Sequence, residues 1–240
     1  MIYFETGRIL KRATFDIDKV LLKVKSNQIW RNAQPGQFVE IRVGNGLDPL
    51  LRRPFSVAFT EENSIWLLIQ IRGRGSKIIA NSDELEIMGP LGNGFPVLDK
   101  TVLVGGGSGI APLIFYFKKY PEKVKEVLFG FKTLPEFNLF ELIPSDKLKL
   151  ITEDGSSEFP GVVTDFIESP NYPHLACGPT PMMKALNKLI SSNKLYFSLE
   201  SYMGCGIGIC MGCAVKKADK SGYYRVCSEG PIFRADKILL

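Results

Sequence analysis

Four of the five cysteines in this 240-residue chain lie within one short stretch, spaced Cys205-x4-Cys210-x2-Cys213-x13-Cys227, and the chain has a single histidine, His174. Thiolates ligate soft and borderline metals, so a cluster of this kind points to a metal centre. Zinc sites usually set a C-x2-C beside a second C-x2-C or beside histidines. Here only one C-x2-C occurs, and His174 is far away in sequence. The x4-then-x2 spacing with a later fourth cysteine is instead the pattern of a loop wrapped around a [2Fe–2S] cluster. Gly204, Gly206, Gly208 and Gly212 are interleaved with the ligands, which lets backbone N–H groups approach the sulfurs. A zinc-stabilised binding module and a set of unrelated thiols remain the alternatives.

Three further constellations could hold phosphates. Arg53-Pro54-Phe55-Ser56 heads an expected strand, and Gly73-Arg74-Gly75-Ser76 follows another. An arginine fork with serine hydroxyls and glycine-exposed N–H groups makes an anion cradle. The glycine run Gly105, Gly106, Gly107, Ser108, Gly109 lies between an apolar strand and a helix opening Ile110-Ala111-Pro112. Such a turn can seat a phosphate on a helix N-terminus. It departs from the dinucleotide fingerprint, because Ile110 takes the third glycine position and Phe131-Lys132-Thr133 supplies no acid for a ribose. Cys177-Gly178-Pro179 also stands between a strand and a helix, with no base beside the thiol to make it a nucleophile.

The elements that must position these groups fall into three textures. Residues 1–99 read as short strands (2–4, 15–24, 38–43, 55–59 and 64–72) with turn signals at 34–36, 44–46 and 73–75 and one short helical stretch near 76–81. This predicts a small antiparallel β-barrel. Residues 100–194 alternate apolar runs (101–104, 124–131, 148–151, 173–177) with helices expected at 111–120, near 161–168 and at 181–191. That alternation predicts a parallel-sheet α/β domain. Residues 195–240 read as a small third module carrying the cysteines. The fold class is therefore multidomain, β followed by α/β followed by a C-terminal iron-sulfur module.

With 45% apolar and 23% charged residues the chain is globular in composition. Its net charge of +5 is spread without a basic block, which argues against nucleic-acid binding. Residues 101–117 carry no charge, but glycines and Pro112 interrupt them, so a buried strand, turn and helix are expected rather than a membrane span. Early charges at Glu5 and Arg8 leave no secretory h-region, and clustered cysteines suit a reducing compartment; the expected location is cytoplasmic.

Taken in order, Leu51-Arg-Arg-Pro-Phe-Ser56, Gly73-Arg-Gly-Ser76, Gly89-Pro-Leu-Gly-Asn-Gly-Phe95, Gly105-Gly-Gly-Ser-Gly-Ile-Ala-Pro-Leu113, Thr152-Glu-Asp-Gly-Ser156, Cys177-Gly-Pro179 and Glu200-x-x-Met203-Gly-Cys-Gly-x-Gly-x-Cys-Met-Gly-Cys213 resemble the ferredoxin-reductase-like flavoproteins. Within them the chain is most similar to the electron-transfer subunits of B-type dihydroorotate dehydrogenases. The resemblance implies that Arg53, Pro54, Phe55, Ser56, Leu68, Ile69, Gln70, Gly75 and Ser76 hold FAD. It implies that Gly105, Gly106, Gly107 and Gly109 face NAD, that Cys177 approaches the nicotinamide, and that Cys205, Cys210, Cys213 and Cys227 ligate the [2Fe–2S] cluster. Gln70 stands where a basic residue is expected, and Ser76 where threonine is. The implied partner is an FMN-containing catalytic subunit, in a heterotetramer with two copies of each. Other relatives in the superfamily, the small subunit of a bifurcating ferredoxin:NADP oxidoreductase or a hydrogenase diaphorase, are the alternative; the bifurcating kind tends to carry aspartate for one cluster cysteine.

Overall fold

A computed structural model describes residues 1–44, 46–136 and 139–240, apart from the side chain of Leu142. The centre of the turn expected at 44–46 lies outside the described residues. Six strands close a barrel: β1 (Tyr3–Asp16), β2 (Lys19–Lys25), β3 (Phe38–Ile41), β4 (Arg53–Glu61), β5 (Ser64–Gln70) and β6 (Glu84–Leu91), in the order β1-β2-β5-β4-β3-β6 and antiparallel throughout. Closure removes the sheet edges that would otherwise be open to unwanted pairing. Two short helices are inserted, α1 (Ile29–Asn32) and α2 (Arg74–Asn81).

Besides lengthening the strand expected at 2–4 into β1, which runs from Tyr3 to Asp16, the barrel corrects the sequence reading in two places. The run 15–24 is not one strand: Asp16 pairs with Lys19 across a tight turn whose tip, Ile17, is 97% exposed. Apolar alternation runs on through the turn, and Ile17-Asp18 has no glycine or asparagine to announce it. The second correction is β6, which was not expected. It closes the barrel between β1 and β3.

The second sheet has seven strands. Its members are β7 (Thr101–Gly106), β8 (Val124–Phe131), β9 (Leu148–Thr152), β10 (Phe159–Pro160), β11 (His174–Cys177), β12 (Leu195–Ser198) and, beyond the hairpin of β13 (Ala214–Lys216) and β14 (Tyr223–Arg225), β15 (Ile232–Arg234). The order is β10-β9-β8-β7-β11-β12-β15, all parallel except β15, which pairs antiparallel with β12. Two strands of this sheet thus come from the segment after residue 194, and the cysteine loop is an excursion between them. The helices are α3 (Ile110–Lys119) and α4 (Thr180–Leu189). The helix expected near 161–168 is a single 3-10 turn, Val163–Phe166, which leaves Val163 buried but forms no helical face.

Every residue of α3 from Ile110 to Phe117 is buried. A helix that is apolar all round needs cover on every side, and α3 has it, packed between barrel strand β4 and sheet strand β7. This explains the charge-free stretch 101–117. One continuous core joins barrel and sheet, with Phe15 of β1 packed against Phe131 and Phe140 across the boundary. No helix among the described residues is long and apolar enough to cross a membrane.

Candidate functional site

A cavity of about 900 Å³ opens between the barrel and the sheet. Barrel strand β4 presents Arg53, Pro54, Phe55 and Ser56 to it, and β5 presents Leu68 and Gln70. Ile69, between them, is fully buried in the barrel core. Strand alternation turns its side chain to the opposite face, away from the cavity that Leu68 and Gln70 line.

The N-terminus of α2 forms another wall. A Cβ on Gly75 would stand 3.0 Å from Arg53 Nε, so the bare backbone lets the guanidinium lie against the helix start. Arg53 Nη1 donates to the Leu51 carbonyl at 2.7 Å, which fixes the fork. The Ser76 hydroxyl accepts from Arg72 N at 3.0 Å and Gly73 N at 3.2 Å and donates to the Gly73 carbonyl. It is therefore used to cap α2, whose first turn, Gly73 to Ser76, lines the cavity.

Gln70 ties the cavity together. Its Nε2 donates to Asp18 Oδ2 at 2.8 Å, while its Oε1 accepts from Arg72 Nε at 2.8 Å and from Ser108 Oγ at 3.3 Å. Opposite stands Glu200, half-exposed, 3.9 Å from Arg72. Desolvation raises its carboxyl pKa against the opposing pull of Arg72 and of the Ser108 hydroxyl beside it. Ser108, Glu200 and Tyr202 line the cavity but were not among the expected cofactor residues. They lie inside motifs already singled out; what the sequence lacks is the folding that brings the chain after β12 back to β5.

The glycine turn sits at the carboxyl ends of β7 and β11, where parallel sheets bind nucleotides. Gly105 pairs with Cys177 in register. A Cβ on Gly109 would stand 2.3 Å from the Cys177 carbonyl oxygen, and one on Gly106 2.9 Å from the Pro179 ring at Cδ. Both glycines are therefore required by close packing. Gly107, at φ +57, faces open space and leaves room for a ligand backbone. Burial pushes the Cys177 thiol up, with Glu200 adding to the effect and a hydrogen bond from Ser198 opposing it. It is a neutral thiol behind the turn and does not line the cavity.

The cysteine loop follows directly from the cavity wall at 199–203. Cys213 and Cys227 are buried, Cys205 is half-buried and Cys210 is exposed; none is in a disulfide. Cys205 Sγ accepts from Ile209 N at 3.3 Å and Cys210 N at 3.4 Å, and Cys210 Sγ accepts from Gly212 N at 3.4 Å. Cys213 Sγ accepts from Cys227 N at 3.4 Å. A Cβ on Gly204 would lie 3.2 Å from Cys210 Sγ, and Gly206 and Gly208 have φ values of +68° and +87°. The loop thus wraps its sulfurs in backbone N–H groups, as the glycines lead one to expect.

Burial opposes ionisation of Cys205, but the N–H donors of Cys210, Ile207 and Ile209 outweigh it and bring the thiol down to about 6. Cys227 goes the other way, pushed up to about 12 by burial and by Cys213. Among the described residues no three His, Cys, Asp or Glu side chains already stand together as a ligand set. The thiols are gathered as two pairs, Cys205 with Cys210 and Cys213 with Cys227. Four sulfurs with N–H donors aimed at them and no histidine nearby fit a [2Fe–2S] cluster in their chemistry.

Between cavity and loop lies Glu40 on β3. Its side chain is 1% exposed, and neither carboxyl oxygen has a hydrogen-bond partner. Burial raises its pKa to about 7, against the pull of Arg52 and Arg53 and with help from Cys205.

Residues 200–239 match the family described as the iron-sulfur cluster binding domain of dihydroorotate dehydrogenase B. The chain is 37% identical to the dihydroorotate dehydrogenase B (NAD(+)) electron transfer subunit of Fusobacterium nucleatum subsp. nucleatum, over 92% of this chain and 93% of that protein. It is 35% identical to the subunit of the same name from Bacillus caldolyticus, over 97% of this chain and 95% of that one. Among solved structures, a chain of the NADH-dependent reduced ferredoxin-NADP oxidoreductase superposes with a TM-score of 0.80 at 28% identity, covering 97% of this chain and 89% of that one. The ferredoxin reductase of carbazole 1,9a-dioxygenase shares the fold, with a TM-score of 0.65 at 18% identity over 82% of this chain and 69% of that one. Sequence, fold and the cysteine loop agree: this chain belongs to the family of the dihydroorotate dehydrogenase B electron transfer subunits.

Proposed function

We propose that this chain relays electrons between a [2Fe–2S] cluster, FAD and NAD+, serving a separate FMN-containing catalytic subunit that oxidises dihydroorotate in pyrimidine biosynthesis. The observation that carries this reading is continuity: residues 199–203 line the barrel cavity and run on into Cys205, so one segment borders both candidate cofactor sites. When bound, the flavin exchanges a hydride with a nicotinamide and single electrons with a cluster, which is the conversion such a relay needs.

The residues divide the work of holding these groups. Arg53 and the N-terminus of α2 bind the flavin's phosphates, while Phe55 and Leu68 give an apolar wall that excludes water. Gln70 holds β5, Arg72 and Ser108 in fixed relation at the cavity. The turn Gly105–Gly109 binds the nicotinamide nucleotide, and the Cys177 thiol, kept neutral by burial, packs behind it. Cys205, Cys210, Cys213 and Cys227 ligate the cluster. Barrel, α/β unit and cysteine segment, bounded near residues 99 and 194, are read as the corresponding three modules. No acid-base constellation for an organic substrate stands out in the sequence, in keeping with substrate oxidation on the partner, in a heterotetramer with two of each. The unpaired thiols suit a reducing compartment, and the cytoplasm is the location we propose.

Anaerobically purified complex, co-expressed with its catalytic subunit, tests the reading. It should contain FAD, iron and acid-labile sulfide and reduce NAD+ with dihydroorotate. Cys210→Ser should abolish that activity while NADH oxidation by artificial dyes at the flavin persists. Equal loss of both activities would sink the division of roles, and zinc without sulfide or flavin would sink the relay itself. The likeness to the ferredoxin-NADP oxidoreductase chain keeps one second reading in view, a partner that supplies reduced ferredoxin. The same preparation assayed with reduced ferredoxin distinguishes it.

A further inference from the structure

Glu40 is out of place by the ordinary rules of a core. It sits on β3 between Val39 and Ile41, both fully buried, and pairs across the ladder with Pro54 on β4 and Met88 on β6. Its nearest cations are occupied elsewhere: Arg52 pairs with Glu86, and Arg53 is held by the Leu51 and Arg52 carbonyls. A buried carboxyl with both oxygens unpartnered costs stability that an apolar side chain of the same length would not. Packing alone therefore gives no reason for a glutamate here.

What the carboxyl meets is the cysteine loop. A Cβ on Gly206 would stand 2.8 Å from Glu40 Cγ and 3.1 Å from Oε1, and Gly206 adopts φ +68. The loop backbone rests directly on the glutamate, with no space for a side chain between them. Gly206 follows Cys205 immediately, so the position of this contact sets the position of that sulfur.

We propose that Glu40 is a positioning residue for the cluster: the packed shape of its side chain seats the Gly206 backbone on the barrel, and with it the ligand Cys205. This rests on the reading that the four cysteines hold a [2Fe–2S] cluster. Cluster potentials depend on hydrogen bonding to the sulfurs and on solvent exposure, both of which change if the loop shifts on its seat.

The test compares Glu40→Gln, Glu40→Met and Gly206→Ala in the full complex with its catalytic subunit. The amide keeps the same forked shape, which the unbranched methionine does not, so Glu40→Gln should retain the iron, sulfide and reduced-cluster EPR g-values of the wild type. Glu40→Met should raise the melting temperature, because no unpaired carboxyl is buried, yet it should shift the g-values and midpoint potential and lose iron to a chelator at least fivefold faster. Gly206→Ala, acting from the loop side, should shift the same spectrum with FAD content unchanged. Wild-type g-values, potential and iron-loss rate in Glu40→Met or in Gly206→Ala would overturn the proposal. A wild-type complex without acid-labile sulfide would instead overturn the cluster reading on which it rests.

Discussion

Arg53 shows what a single residue contributes and what it needs from others. Its fork is held by a main-chain carbonyl and lies against a helix start that only a glycine at position 75 leaves open. A charge-assisted bond to phosphate is worth about 1.5–3 kcal/mol. Arg53→Ala should therefore weaken FAD binding by roughly 10- to 100-fold, measured by titrating the flavin-free protein with FAD, while cluster iron stays constant. Equal loss of iron and flavin would mean that the arginine supports the fold rather than the ligand. The place of Arg53 on the cavity was legible from the joint occurrence of Arg53–Ser56 and Gly73–Ser76 in one β-rich unit, and the cysteine loop from its spacing. Glu40 was not legible. In sequence it is an ordinary charge in a strand, and only the closure of the barrel and the return of the cysteine loop make it a buried, unpartnered group.

At the scale of elements, turn residues and apolar runs carried most of the reading. The parallel strands β7, β8 and β11 are bounded by glycine, proline and charge, and their apolar interiors need cover on both faces, so composition marks them. The failures share one cause. The hairpin at Ile17-Asp18 and the 3-10 turn Val163–Phe166 are closed by local aspartate bonds, Asp16 accepting from Ile17 N and Asp165 from Val162 N, with no glycine or asparagine to mark them. The strand β11 also carries the chain's one histidine in an unusual state. His174 is fully buried, its Nδ1 hydrogen-bonded to the Tyr172 carbonyl at 2.8 Å and its Nε2 without a partner. Burial lowers its pKa below the ordinary 6.5, against the opposing effect of the Tyr172 bond. The unfolded chain then takes up the proton first as pH falls, so stability contributed by the neutral ring is present above 6.5 and is lost below it. Thermal unfolding followed from pH 7.5 to 5.5 should show a falling melting temperature, with a shallower slope in His174→Leu. Identical slopes would show that other groups govern acid sensitivity.

At the scale of the whole molecule, the cysteine loop and the residue before it expose a set of apolar side chains beside the site. Tyr202 is 96% exposed, Ile209 76%, Met211 48% and Ile207 42%, surrounding the exposed Cys210. Apolar groups gathered around an exposed ligand make this the face that the catalytic subunit should cover. Ile209→Asp should weaken the complex by about tenfold or more, read by analytical ultracentrifugation, because a carboxylate would have to be desolvated at the contact. FAD and sulfide content should not change, since the Ile209 side chain is exposed and its bond to Cys205 Sγ is made by the main-chain N–H, which the substitution keeps. Undiminished association would place the contact elsewhere on the surface.

The strands β12 and β15 that bracket the loop are hydrogen-bonded neighbours, and Asn93 of the barrel clasps the same place, donating to the Glu229 and Ile232 carbonyls and accepting from Ile232 N. The two ends of the excursion 199–231 are thus pinned together by the sheet whether or not its sulfurs are ligated. Closing a loop is an entropic cost that is met once, and here the sheet meets it in advance. Iron-sulfur assembly can then act on a chain that has already folded. Oxidative destruction of the cluster would free one tethered loop, loosening the cavity wall at 199–203 but leaving the walls made by β4, β5 and α2 standing, so that the damaged subunit could be reloaded rather than replaced.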